Sequence, residues 1–145
     1  MDIKTLTGLE IMQLMATGKI PLASIAITMP MKPVTIERGY VEFVATADDR
    51  HINPLGCVHG GFAATVLDSV TACASHTVLE AGVGYVTTEL NVKYVRPIPK
   101  DKEVFAEGKV LNVSRQLIIS EGKIIDENGK IYALGTATCM ILQTK

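Results

Sequence analysis

The sequence predicts an α+β fold in which one antiparallel sheet of about six strands covers a single long, buried helix, with a short helix ahead of both. Three observations carry this expectation. Between Arg50 and Glu80 the only side chain charged at neutral pH is Asp68, so the stretch from Phe62 to Leu79 reads as a helix apolar on nearly every side. The rest of the chain is short β-rich runs punctuated by turn residues. The links between the later runs are too short for the crossover of a dozen or more residues that a parallel pair would need. At 145 residues the chain is expected to be one domain, 1–145, with a core that needs no metal or disulfide.

Taken in order, Thr7 stands three residues before Glu10, the reciprocal capping-box spacing, and Leu9, Ile11, Met12, Leu14 and Met15 follow ahead of Gly18. A helix over about 8–17 is expected there. Ser24–Met29 reads as a strand, and Val34–Thr46 as a second run broken by a turn at Arg38-Gly39. The helix over 62–79 comes next, about 20 residues or ~30 Å long, its Ala63, Ala64, Ser69, Ala72, Cys73, Ala74 and Ser75 small enough for close packing. Four strands follow: Tyr85–Val95, Val104–Val113, Gln116–Asp126 and Lys130–Leu142, the last two flanking Asp126-Glu127-Asn128-Gly129, whose Asn-Gly is a strong hairpin signal. Successive members of this group are expected to pair as antiparallel neighbours.

The chain is 48% hydrophobic and 20% charged, with mean hydropathy +0.28, yet its longest charge-free run, His51–Leu67, holds two His, an Asn, a Pro and three Gly and cannot span a membrane. Glu10 interrupts the only apolar stretch that could serve as a signal peptide, so an unprocessed, cytoplasmic chain is expected. With 14 basic and 15 acidic residues there is no global field to attract nucleic acid, and 5% aromatics give little stacking surface. Cys57, Cys73 and Cys139 are odd in number and widely spaced, which fits buried apolar residues rather than a disulfide framework. Asp48, Asp49, His51 and His59 match no metal-ligand spacing, and no metal or cofactor is expected.

Asp68 needs a reason to sit mid-helix, because an unpaired buried carboxylate costs several kcal/mol. Either it is hydrogen-bonded to Thr65, Thr71 or His59, or it is a general base or nucleophile. His59-Gly60-Gly61 lies where loop turns into helix, and first-turn amides lack intrahelical partners and sit at the positive end of the dipole. Glycines there let a carbonyl approach, so Gly60 and Gly61 are candidates for contact with a substrate oxygen.

The run Asn53-Pro-Leu-Gly-Cys-Val-His-Gly-Gly-Phe-Ala-Ala-Thr-Val-Leu-Asp68 resembles the signature of hotdog-fold acyl-CoA thioesterases of the phenylacetate-degradation (PaaI-like) branch. The stretches Gly84–Arg96 and Gly135–Cys139 resemble strands of the same family, and the likeness covers roughly 8–142. It implies the hotdog fold, a helix wrapped by an antiparallel sheet, and hydrolysis of an aryl, phenylacetyl-like or short- to medium-chain acyl-CoA. By the same resemblance, the Gly60 amide, helped by Asn53, would polarise the thioester carbonyl. Asp68 would attack it or activate water, His59 would orient the loop or thioester, and Thr87 would position the water. Lys93, Arg96 and Arg115 are candidates for the nucleotide and phosphates of coenzyme A, or plain solvated charges. A hydratase or dehydratase on the same fold and a non-catalytic acyl-CoA-binding module are the competing readings. Gly60 and Asp68 are eight residues apart, ~12 Å along one helix and ~80° around it, too far for a single carbonyl. A homodimer, as the resemblance also implies, or a tetramer built from it, would bring Gly60 of one chain to Asp68 of the other.

Overall fold

A computed structural model of the protein describes residues 2–142. Helix α1 (Gly8–Ala16) opens on the expected capping box: the Glu10 amide donates to Thr7 Oγ1 at 3.3 Å, and the Thr7 amide donates to Glu10 Oε2 at 2.8 Å. Gly18, at φ +72°, turns the chain out of it.

The Ser24–Met29 run is not a strand. Residues Ile25–Thr28 form a single helical turn, α2, with the Met29 amide donating to the Ile25 carbonyl at 2.8 Å. Its alternating Ile residues are β-like in composition, but Pro30 follows at once and α2 itself packs on β1, so the run satisfies its own amides instead. Strands β1 (Met31–Glu37) and β2 (Tyr40–Thr46) form the hairpin expected around Arg38-Gly39, with Gly39 at φ +77°.

Helix α3 spans Gly60–His76, starting two residues earlier and ending three earlier than the sequence suggests. Thr77 caps it and its Oγ1 accepts the Gly39 amide at 2.7 Å, which turns the chain so that Leu79 drops into a second apolar cluster with Ile118 and Cys139. Strands β3 (Gly84–Tyr94), β4 (Glu103–Val113), β5 (Leu117–Ile125) and β6 (Ile131–Leu142) complete one antiparallel sheet in the order β1-β2-β4-β5-β6-β3.

That order corrects the expectation that β3 and β4 are neighbours. The linker after β3 contains Pro97 and Pro99, buries Ile98 and pairs Lys100 with Ala47, so it crosses the end of the sheet rather than turning back along β3. Strand β4 enters between β2 and β5, and β3 pairs only with β6. The β1 side of the sheet is packed by α1 and α2, whereas the outer edge of the 11-residue β3 has no partner among the described residues.

The core lies between α3 and the sheet, with Phe62, Val66, Leu67, Val70, Val41, Val104 and Ile124 essentially sealed. What seats the helix is a cross-strand row of glycines, Gly108 on β4, Gly122 on β5 and Gly135 on β6, in direct register. A Cβ at Gly108 would lie 2.1 Å from the Val70 carbonyl oxygen, and one at Gly135 3.3 Å from Leu67 Cδ1. Backbone cannot yield as a flexible side-chain tip can, so Gly108→Ala is expected to cost about 3 kcal/mol of stability by overpacking. Urea unfolding measures this; a midpoint within error of wild type would mean that the helix does not rest on this row.

Candidate active site

The loop leading into α3 is a small ribbon. Ile52 and Val58 form an antiparallel bridge, the Asn53 amide donates to the Cys57 carbonyl at 2.8 Å, and Gly56 turns the tip at φ +82°. The Asn53 side chain accepts two backbone amides, Leu55 at 2.9 Å and Cys57 at 3.1 Å, so the accepting atom is Oδ1. Its Nδ2 has no partner among the described residues, and Asn53 stands in the wall of a pocket of about 410 Å³ with Cys57, His59, Gly60, Tyr94 and Arg96.

His59 is the N-cap of α3, an unusual one. Its Nδ1 accepts the Gly61 amide at 2.8 Å, and its carbonyl accepts the Phe62 amide at 3.0 Å. Of these three successive amides only that of Gly60 has no acceptor among the described residues. The loop thus sorts the two glycines: Gly61 is used by the cap, and Gly60 presents a donor at the positive end of a 17-residue helix.

Asp68 lies on the flank of α3, and its Oδ1 is buried with no hydrogen-bond partner among the described residues. None of the three partners considered from sequence engages it. Thr65 Oγ1 donates to the Gly61 carbonyl at 2.9 Å, Thr71 Oγ1 to the Leu67 carbonyl at 2.7 Å, and His59 caps the helix. Burial pushes the Cys73 thiol up to about 12, with the Asp68 carboxylate and Cys139 adding to it. Burial likewise raises the Tyr85 phenol, and Cys73, Cys139 and Asp68 add to that shift. The carboxylate therefore faces groups that stay neutral at pH 7, and no cation pairs it among the described residues.

Thr87 belongs to the same neighbourhood: it is in register with Cys139, its Oγ1 3.9 Å from the sulfur. Arg96 follows β3 at the pocket rim, its guanidinium fixed by a 2.6 Å bond to the Ile131 carbonyl. Two other basic candidates lie elsewhere in the chain. Lys93, between the inward-facing Val92 and Tyr94, is on the sheet face away from α3. Arg115 sits in the turn between β4 and β5, beside the row Leu117, Met140 and Val86 at the opposite end of β3, about 30 Å of strand from Arg96. The cysteines also divide: Cys139 is buried and Cys73 half-buried, but Cys57 is exposed, because it falls on the loop rather than in the helix or sheet.

Sequence reasoning gave no role to Tyr94. Its hydroxyl donates to the Gly60 carbonyl at 3.0 Å, and its ring lies where a Cβ on Gly60 would meet it at 3.1 Å. The contact joins the last residue of β3 to the first of α3, and no local pattern announces it. Gly60→Ala would then both crowd the ring and hinder a carbonyl approaching the amide. We expect kcat to fall about 100-fold with a smaller rise in KM, since the donor matters most when charge develops on oxygen. Steady-state kinetics checks this; a large KM effect at unchanged kcat would mean that Gly60 only shapes binding.

A family model described as the thioesterase superfamily matches residues 55–133, a span holding Gly60, Asp68, Thr87 and Arg96 and starting just after Asn53. The proofreading thioesterase EntH of Klebsiella pneumoniae is 33% identical over 105 residues, 70% of this chain and 76% of the relative. Acyl-coenzyme A thioesterase 13 of Mus musculus is 28% identical over 92 residues, 63% of this chain and 65% of the relative. Among solved structures, a phenylacetic acid degradation-related protein from Ralstonia eutropha has a TM-score of 0.81 at 29% identity, covering 89% of this chain and 98% of that one. The PaaI protein of Escherichia coli has a TM-score of 0.82 at 16% identity over 96% and 99%, a likeness of fold. The helix wrapped by a sheet is the hotdog fold of these structures.

Proposed function

We propose that this chain, which belongs to the thioesterase superfamily and is a thioester hydrolase, acts on acyl-CoA at a site completed by a second copy of itself. The observation that carries the reading is the buried, unpartnered Oδ1 of Asp68 on the same helix whose first turn presents the free Gly60 amide. The Gly60 amide and Asn53 Nδ2 donate to the thioester carbonyl oxygen as it gains charge. Asp68 either attacks the carbonyl carbon, forming an acyl-aspartate that water then cleaves, or takes a proton from the water that attacks. Both routes expel the coenzyme A thiolate, which leaves as thiol once protonated, and both end in the free acid. Thr87 orients the water, and Arg96 holds a phosphate of the nucleotide. Aryl, phenylacetyl-like and short- to medium-chain acyl groups all suit a pocket with an apolar lining.

The second copy is needed because α3 runs unbroken from Gly60 to His76, which keeps Gly60 and Asp68 ~12 Å apart along its axis. Two features favour a twofold partner. The edge of β3 offers a long row of backbone groups unpaired among the described residues, and the α3 flank beside Asp68 includes the half-buried small residues Gly61, Ala64 and Ala72. Small side chains let a second helix approach closely. We place the reaction in the cytoplasm, where three free cysteines suit a reducing compartment.

The test is to incubate the pure protein with aryl-, phenylacetyl-, short- and medium-chain acyl-CoA and follow free thiol. Release with at least one class is expected. No release from any of them removes the reading; binding without release would favour an acyl-CoA-binding module, and hydration of an enoyl thioester would favour a hydratase.

A further inference from the structure

An amide donor stabilises a developing oxyanion only while it is held within tenths of an ångström of its place, and a misplacement of about 1 Å costs roughly 100-fold in rate. The loop that carries Gly60 is exposed at its tip, where Leu55 is 88% accessible, so something beneath must hold it. That element is His51, only 5% exposed. Its Nδ1 accepts the Asp48 amide at 2.9 Å, and its Nε2 lies 2.6 Å from the Thr28 carbonyl oxygen. A carbonyl only accepts and an amide only donates, so the ring is neutral with its proton on Nε2. The ring rests against Phe62, in the first turn of α3, at 4.9 Å between centroids. The His51 backbone carbonyl accepts the His59 amide at 2.7 Å, which anchors the cap itself.

An apolar side chain would fill the space against Phe62 at less desolvation cost. What imidazole adds is two directional bonds to backbone, one three residues back at 48 and one to the distant residue 28, which fix where residue 51 and therefore residue 59 must lie. We propose that His51 is a positioning residue for the catalytic donor: neutral and doubly bonded, it holds the His59 cap, and through it the Gly60 amide, in one place. This rests on the reading above that Gly60 polarises the thioester carbonyl.

The experiment compares His51→Gln and His51→Asn with wild type, using an acyl-CoA that the wild type hydrolyses. Glutamine can keep the bond to Thr28 and asparagine the bond from Asp48, so each variant loses one anchor. For the folded protein, kcat is expected to fall about 10- to 100-fold with KM within about threefold. Ser120→Ala serves as the control, because it removes the 2.9 Å bond to Ser75 in the buried interior, away from the loop. It should lower the melting temperature and leave kcat within about twofold. If both His51 variants melt earlier yet keep wild-type kcat, the residue is structural only and the inference is overturned. Should neither variant fold, Phe62→Leu carries the test, with the same fall in kcat expected and an unchanged kcat overturning it. A wild type that releases no thiol from any acyl-CoA would instead sink the proposed function.

Discussion

Asp68→Asn is expected to lose three to four orders of magnitude in kcat/KM, about 4 to 5.5 kcal/mol of transition-state stabilisation, while still binding a non-hydrolysable acyl-CoA analogue. The amide keeps the shape of the carboxylate and can serve neither as base nor as nucleophile. The structure adds a second readout with its own sign. A carboxylate held in place by Thr65, Thr71 or His59 would leave those partners stranded when removed, and the protein would lose stability. Here those three groups bond elsewhere and Asp68 Oδ1 is buried without a partner, so losing the charge should leave the melting temperature unchanged or raise it. Lost turnover with retained or raised stability is the signature of an acid kept for chemistry. Activity within tenfold of wild type would end the assignment, and lost activity accompanied by a lowered melting temperature would make Asp68 a structural acid.

The same contrast explains how much could be read before the structure. The α1 cap was legible because both of its bonds lie within four residues, Thr7 to Glu10. Helix α3 and its Asp68 were legible because a single charge in a long apolar stretch stands out whatever surrounds it. The roles of Asn53 and His59 came through likeness to a family; their bonds, to amides no more than four residues away, supply the physical reason for two of the positions. What stayed hidden depends on distant pairing. Strand β3 could not be placed at an edge from its own residues, because its neighbour β6 is chosen by a linker that crosses the sheet end. Tyr94 meets Gly60 across 34 residues, and the glycines at 108, 122 and 135 become a row only once three strands are in register. The α2 turn failed for the opposite reason: its composition suits a strand, but Pro30 follows at once and the turn packs on β1 instead of pairing with it.

Mixing Asp68→Asn with Gly60→Ala under conditions that exchange subunits is expected to restore activity that neither variant has alone. In a twofold dimer with shared sites, each heterodimer joins the intact Gly60 of one chain to the intact Asp68 of the other, and its second site carries both defects. Random exchange makes about half the molecules heterodimers, each with one working site of two, so recovery should approach about one quarter of wild-type specific activity. The expectation rests on α3 being a single helix without a break between the two residues, so that one chain cannot bend them together. It also rests on the edge of β3, unpaired among the described residues, whose end residue Tyr94 touches Gly60 while its start lies near the far end of α3, where the tilted rings of His76 and Tyr85 meet at 5.0 Å between centroids. Since α3 and β3 run in opposite directions, antiparallel joining of two β3 edges would set the two α3 helices antiparallel as well, the arrangement that aligns Gly60 with the partner copy's acid. Sedimentation or light scattering should accordingly find no monomer at assay concentration. Confirmed subunit exchange without any recovery would mean that Gly60 and Asp68 act within one chain, and the geometric argument for a shared site would fall.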